Sequence, residues 1–136
     1  MDELRLKNIL GIDFGKSKHG VALSMKGLTA PLGVYKSDNF EKIVSELSVN
    51  HRIEAVVVGL PEGVQKSSAE QFAKKVKSIL NLPTFLVDET LSSSEAQRLS
   101  IENGMSRKKR NTMEDAYAAC LILDSFVSGS DVIIVE

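Results

Sequence analysis

The stretch EAVVVGLP, residues 54–61, constrains the chain more than any other. It is a continuous apolar run, rich in β-branched valine, with no alternation of apolar and polar residues. That pattern fits a strand covered on both faces, as in the parallel sheets of α/β domains. PTFLVDET, residues 83–90, reads the same way and ends on two adjacent acids. Between the two runs, Ser67 and Glu70 make a capping box, and Phe72, Val76, Ile79 and Leu80 recur on one side of a helix. Strands that alternate with helices in this way pair in parallel.

The segment before this unit has a different rhythm. Residues 8–14 read as a strand and HGVALS, 19–24, as a second. The short loop Gly15–Lys18 between them makes the pair antiparallel. TAPLGVYK, 29–36, is a third strand, placed at the sheet edge by Pro31. Asp38 is expected to cap a helix over 40–50, with Phe40, Ile43, Val44 and Leu47 at helical spacing. Beyond residue 90, Ser92 and Glu95 form a second capping box, opening a helix that Gly104 stops. SRKKRN, 106–111, reads as a basic connector. The last helix is expected from about Met113 to Ser128, with Met113, Ala116, Cys120, Leu123 and Val127 as its apolar stripe and Gly129 at its close. DVIIVE is a short apolar tail and a candidate edge strand. The expectation is one α/β domain over 1–136. Its sheet is mixed and five-stranded, a three-strand antiparallel meander plus two parallel strands, with helices on both faces.

The bulk properties close off several classes. Cys120 is the sole cysteine, so neither an internal disulfide nor a multi-thiolate zinc site is available. No apolar run approaches the roughly 20 residues that span a bilayer, and the charged start MDELRLKN does not read as a signal peptide. The expected address is the cytoplasm, with no membrane partner. A net charge of −1 gives no global basic field, so any binding of nucleic acid must rest on a local patch.

Three sets of acids stand at the ends of elements: Asp13 closing the first strand, Asp88 and Glu89 closing the last buried strand, and Asp115 in the first turn of the last helix. The carboxyl ends of parallel strands share a crevice. Carboxylates gathered there repel unless a cation joins them, and an oxygen-only donor set selects Mg²⁺ or Mn²⁺. Each acid also has a plainer explanation. Asp115 is a good first-turn residue against the helix dipole, and Asp88 can orient a loop. Asp13, between glycines in GIDFG, has no capping task. His19 reads as a structural or surface histidine rather than a base, and Cys120 as core. Lys16 and Lys18 lie close to Asp13 in sequence, and Arg107, Lys108, Lys109 and Arg110 come shortly before Asp115. Basic side chains rimming an acidic centre are what metal-assisted cleavage of a phosphodiester requires, although a solvated loop explains the basic run equally well.

Four segments in order resemble the YqgF family, the Holliday-junction-resolvase-like proteins also called pre-16S rRNA nucleases: GIDFGKSKHGVALS, VVVGLPEG, VDETLSSSEA and MEDAYAACLIL. The resemblance runs nearly end to end. It implies an RNase H-like fold and metal-dependent hydrolysis of structured nucleic acid. The substrate it implies is the precursor of 16S rRNA, processed during ribosome biogenesis. Asp13, Glu89 and Asp115 match the family's acids, which makes them the expected catalytic and Mg²⁺- or Mn²⁺-binding residues. Lys16, Lys18 and Arg107–Arg110 are expected to hold phosphates. Lys18 and Thr90 stand where the family usually has arginine, and Glu62–Gln65 departs from its usual loop. Two other activities stay open: a Holliday-junction-type DNA resolvase, and a non-catalytic RNA-binding factor of ribosome assembly. GIDFG also resembles the phosphate loop of actin-like ATPases and sugar kinases, but the chain has no room for their second domain. A monomer or a weak dimer is expected.

Overall fold

The computed structural model describes residues 7–60, 66–88, 107–128 and 132–136. In chain order the elements are β1 (Ile9–Asp13), β2 (Lys18–Met25), β3 (Leu28–Lys36), α1 (Phe40–Asn50), β4 (Ala55–Leu60), α2 (Lys66–Leu80), β5 (Thr84–Asp88), α3 (Arg107–Val127) and β6 (Val132–Ile134). The strands form a single mixed sheet in the order β3-β2-β1-β4-β5-β6. The meander is antiparallel, β1, β4 and β5 run parallel, and β6 returns antiparallel along β5. The sheet therefore has six strands where five were expected. The sixth comes from the apolar tail: Val135 N–H donates to the Thr84 carbonyl, and Lys77 Nζ of α2 donates to the Val135 carbonyl.

The two-residue period of the strands sorts the core into two layers. Leu10, Ile12, Val21, Val56, Val58 and Leu86 face α1 and α2, where Phe40, Val44, Ala69, Ala73 and Val76 cover them. Ile9, Ala22, Ala55, Val57, Phe85 and Val87 face α3, meeting Ala119, Ile122, Leu123 and Phe126. Burying a side chain of this size contributes about 1.5–3 kcal/mol, so both faces of the central strands favour this placement. Small residues let α3 come close. Ile122 lies over Gly59, where an added Cβ would overlap its Cδ1.

Helix starts differ from expectation. A short 3₁₀ turn, Ser37–Asn39, precedes α1, and Asn39 occupies the cap position with no side-chain cap bond. Asp38 is drawn into that turn and does not cap the helix. α2 begins at Lys66, which puts Ser67 inside its first turn, and Lys66 pairs with Glu70 at 3.9 Å. The largest change is in α3. It begins at Arg107, so the basic run belongs to the helix and is not a connector. Arginine and lysine are strong helix formers, and no glycine or proline interrupts residues 105–128. Asp115 consequently lies more than two turns into the helix, beyond the reach of a first-turn dipole effect. The helix expected to open with Ser92 and Glu95 and stop at Gly104, the closing Gly129 and the loop Glu62–Gln65 lie outside the described residues.

Candidate acidic site

Asp13 is the last residue of β1, and the strand alternation turns it toward α3. Its in-register neighbours are Gly20 on β2 and Gly59 on β4. The carboxylate is thus flanked by two positions without side chains, and the space beside it is filled by the helix. A Cβ on Gly20 would overlap both the carbonyl oxygen and the carbonyl carbon of Asp115. The backbone of α3 therefore rests on β2 at the point where β2 passes Asp13. This contact brings Asp115 from its distant place in the sequence to the end of β1.

The electrostatics follow from that placement. Asp13 is 8% exposed. Burial, then the charges of Asp115 and Glu114, push its pKa from an ordinary 3.8 up to about 7. Both charges that raise it are negative, and neither stabilises the ionised form. Lys18, at the start of β2, pairs with Asp115 at 3.6 Å, Nζ to Oδ2. Lys16 lies elsewhere: it lines a groove on the α1–α2 side of the sheet. The two lysines, treated as one group in the sequence, serve opposite faces.

The structure thus brings together Asp13, Asp115 and Lys18. Glu89 and Thr90 lie outside the described residues, as do the side chains of Asp88, Arg107, Lys108, Lys109 and Arg110. Among the described residues, no three of His, Cys, Asp or Glu form a metal-holding group. Two details escaped the sequence. Glu114 acts on Asp13, and the adjacency of two acids in MEDA was the signal for it. Gly20 supports Asp115, which only the strand register reveals. His19 is buried and does not lie on the surface, one of the two placements its sequence context left open. It is 2% exposed, accepts the Gly15 N–H on Nδ1 at 3.2 Å, and burial lowers its pKa to about 4. Cys120 is core, and burial with the charge of Asp124 pushes its thiol up to about 12. Among the described residues, no helix is long and apolar enough to cross a membrane.

Comparison with known proteins places these features in a family. The model of the RuvX family, described as Holliday junction resolvase, matches residues 7–129. A protein of Orientia tsutsugamushi (strain Ikeda) named "Putative pre-16S rRNA nuclease" is 40% identical over 128 residues, which is 87% of this chain and 82% of that protein. Proteins of the same name from Syntrophus aciditrophicus and Listeria monocytogenes are 35% and 36% identical. These matches cover 88% of this chain each, and 87% and 96% of the relatives. Among solved structures, RuvC of T. thermophilus in complex with a Holliday junction substrate superposes with a TM-score of 0.61 at 16% identity, over 94% of this chain and 99% of that one. A second structure of Thermus thermophilus RuvC gives 0.55 at 15% identity, over 93% and 99%. The likeness is one of fold, and the fold is RNase H-like.

Proposed function

This chain belongs to the RuvX family of Holliday junction resolvases, and from that premise we propose that it is a divalent-metal-dependent nuclease whose substrate is the precursor of 16S rRNA. The observation that carries the proposal is the meeting of Asp13 and Asp115 at the carboxyl end of β1, with Asp13 buried and its pKa raised toward neutrality. A buried carboxylate beside like charges costs several kcal/mol unless a cation offsets it. The donors are all oxygen, which suits Mg²⁺ or Mn²⁺.

In this reading Asp13, Asp115 and Glu89 hold the ion. β5 leads toward Glu89 and runs beside β4, whose Gly59 is in register with Asp13. A bound divalent ion supplies charge neutralisation for the phosphodiester and makes water more acidic. The chain's own residues do the rest. Asp13, ionised and shielded from solvent, fixes the position of the charge that the phosphate must approach. Lys18 balances Asp115 and stands beside the path of the strand. The helical run Arg107–Arg110 takes phosphates further along. The names of the relatives favour precursor rRNA over a DNA junction.

The test is cleavage of a precursor 16S rRNA fragment by the wild-type chain and by Asp13→Asn. Cutting that requires Mg²⁺ or Mn²⁺ and disappears in the variant supports the proposal. Tight RNA binding with no cutting under any divalent ion replaces it with an assembly factor. Preferential cutting of a four-way DNA junction replaces it with a resolvase.

A further inference from the structure

On the side of the sheet away from Asp115, a groove of about 580 Å³ lies between the β1–β2 loop, the Ser37–Asn39 turn, α1 and α2. We propose that this groove is a subsite for one unpaired nucleotide flanking the scissile phosphate, with its base held against the half-buried rings of Phe14 and Phe72, which the buried His19 ring backs; the inference rests on the nuclease reading and deepens it.

The chain itself links groove and acids. Asp13 is turned toward α3, and the next residue, Phe14, packs on the opposite layer and lines the groove. A nucleic acid passing over the end of β1 meets the acids on one side and this cavity on the other. The floor is aromatic. The His19 ring stacks on Phe14 with centroids 5.3 Å apart and planes 16° apart, sits 4.7 Å from Phe72, and meets Phe40 edge-on at 4.6 Å. Stacking surfaces of this kind accept any base, because every base has a π face.

The polar groups suit the rest of a nucleotide. His19 Nδ1 is occupied as an acceptor by the Gly15 N–H. The proton of the neutral ring is therefore on Nε2. Burial keeps the imidazole neutral down to about pH 4. Lys16 and Lys42 stand at the rim together with Asp38, and Lys75 bonds Glu41 across the gap between α1 and α2. The combination of a π floor and a rim on which three lysines face two acids suits a planar heterocycle that carries a phosphate. The cavity has the size of a small-ligand site.

The test is an NMR titration of the intact chain without divalent metal, using adenosine 5′-monophosphate, uridine 5′-monophosphate, ribose 5-phosphate and inorganic phosphate. The expected result is saturable movement of the His19, Phe14 and Phe72 ring signals with at least one mononucleotide and none with the two base-free probes. Phe72→Leu, which keeps apolar bulk and removes the π face, should weaken that binding about tenfold. If that variant fails to fold, exposed Lys16→Glu should weaken it as well. Equal shifts with inorganic phosphate, shifts confined to Asp13 and Asp115, or no shift at millimolar mononucleotide would overturn the subsite. No cleavage is measured and no metal is present, so the outcome is independent of the test of nuclease activity. An apolar peptide that occupies the groove in preference to mononucleotides would also overturn it.

Discussion

Gly20 and Asp115 are in backbone contact: the place where a side chain at residue 20 would begin is already taken by the carbonyl of residue 115. Gly20 is also the in-register partner of Asp13. The separation of the two acids is therefore set by a residue with no functional group. Gly20→Ala forces α3 off β2, because the obstructing atom is backbone and cannot rotate away. The variant should lose about 1–3 kcal/mol of stability and still unfold cooperatively in urea. Its Mn²⁺ affinity, read by calorimetry, should fall at least about tenfold. Unchanged affinity would show that α3 does not set the site.

The raised pKa of Asp13 has a definite sign in stability. The folded chain holds this proton more tightly than the unfolded chain does. The contribution is therefore complete below about pH 4 and is lost as pH rises through about 7. Asp13→Asn escapes the loss. In the absence of divalent metal the variant should match wild type near pH 4 and exceed it at pH 8 by up to roughly 4 kcal/mol, an upper bound at 1.36 kcal/mol per pH unit. Urea denaturation across this range measures the difference. A variant less stable than wild type at pH 8 would mean that Asp13 is satisfied without metal.

His19 acts in the opposite direction. Its depressed pKa favours the folded state fully above about pH 6.5, and this support is lost as pH falls toward 4. His19→Phe should flatten the wild-type loss of stability between pH 6.5 and 4, seen as a smaller change in Tm. A slope identical to wild type would place the acid sensitivity elsewhere.

At the proposed site, divalent metal and protons would compete for the same carboxylates. The rise in Tm on adding Mn²⁺ should therefore be small at pH 5.5 and larger at pH 8. It should vanish in Asp13→Asn and shrink in Asp115→Asn, and chelation by EDTA should reverse it. A pH-independent rise in Tm would point to ions bound elsewhere.

The basic run should act on substrate alone. Replacing Arg107, Lys108, Lys109 and Arg110 with glutamine, a good helix former, should weaken RNA binding and reduce its salt dependence by nearly one unit of slope for each phosphate that is no longer neutralised. Mn²⁺ affinity should be unchanged. A parallel drop in metal binding would mean that the run shapes the acidic site as well.

Much of this was legible in the residues. The valine run at 54–61 and its counterpart at 83–90 specified buried parallel strands, because short, β-branched apolar runs separated by a helix fit strands covered on both faces. The short loop after Asp13 specified the antiparallel pair. Asp13 stood out because an acid at the end of an apolar strand needs a reason to be there. What local pattern could not give was the boundary of α3. A run of four cations looks like a solvated loop, but helix propensity and packing carry it into the helix. The capping-box pattern misled at Ser67, which lies within the helix and not at its cap. Gly20 was invisible as a support for Asp115 because its role depends on register across strands, which spacing along one segment does not encode.

The continuity of α3 has a mechanical consequence. Arg107 and Asp115 are eight positions apart on one unbroken helix, a rise of about 12 Å, and Ile122 and Leu123 anchor the same rod to the sheet. On the proposed function, grip and cut would ride on a single lever: whatever slides or tilts that rod on its glycine seats carries the segment Arg107–Arg110 and Asp115 together, and their spacing stays constant.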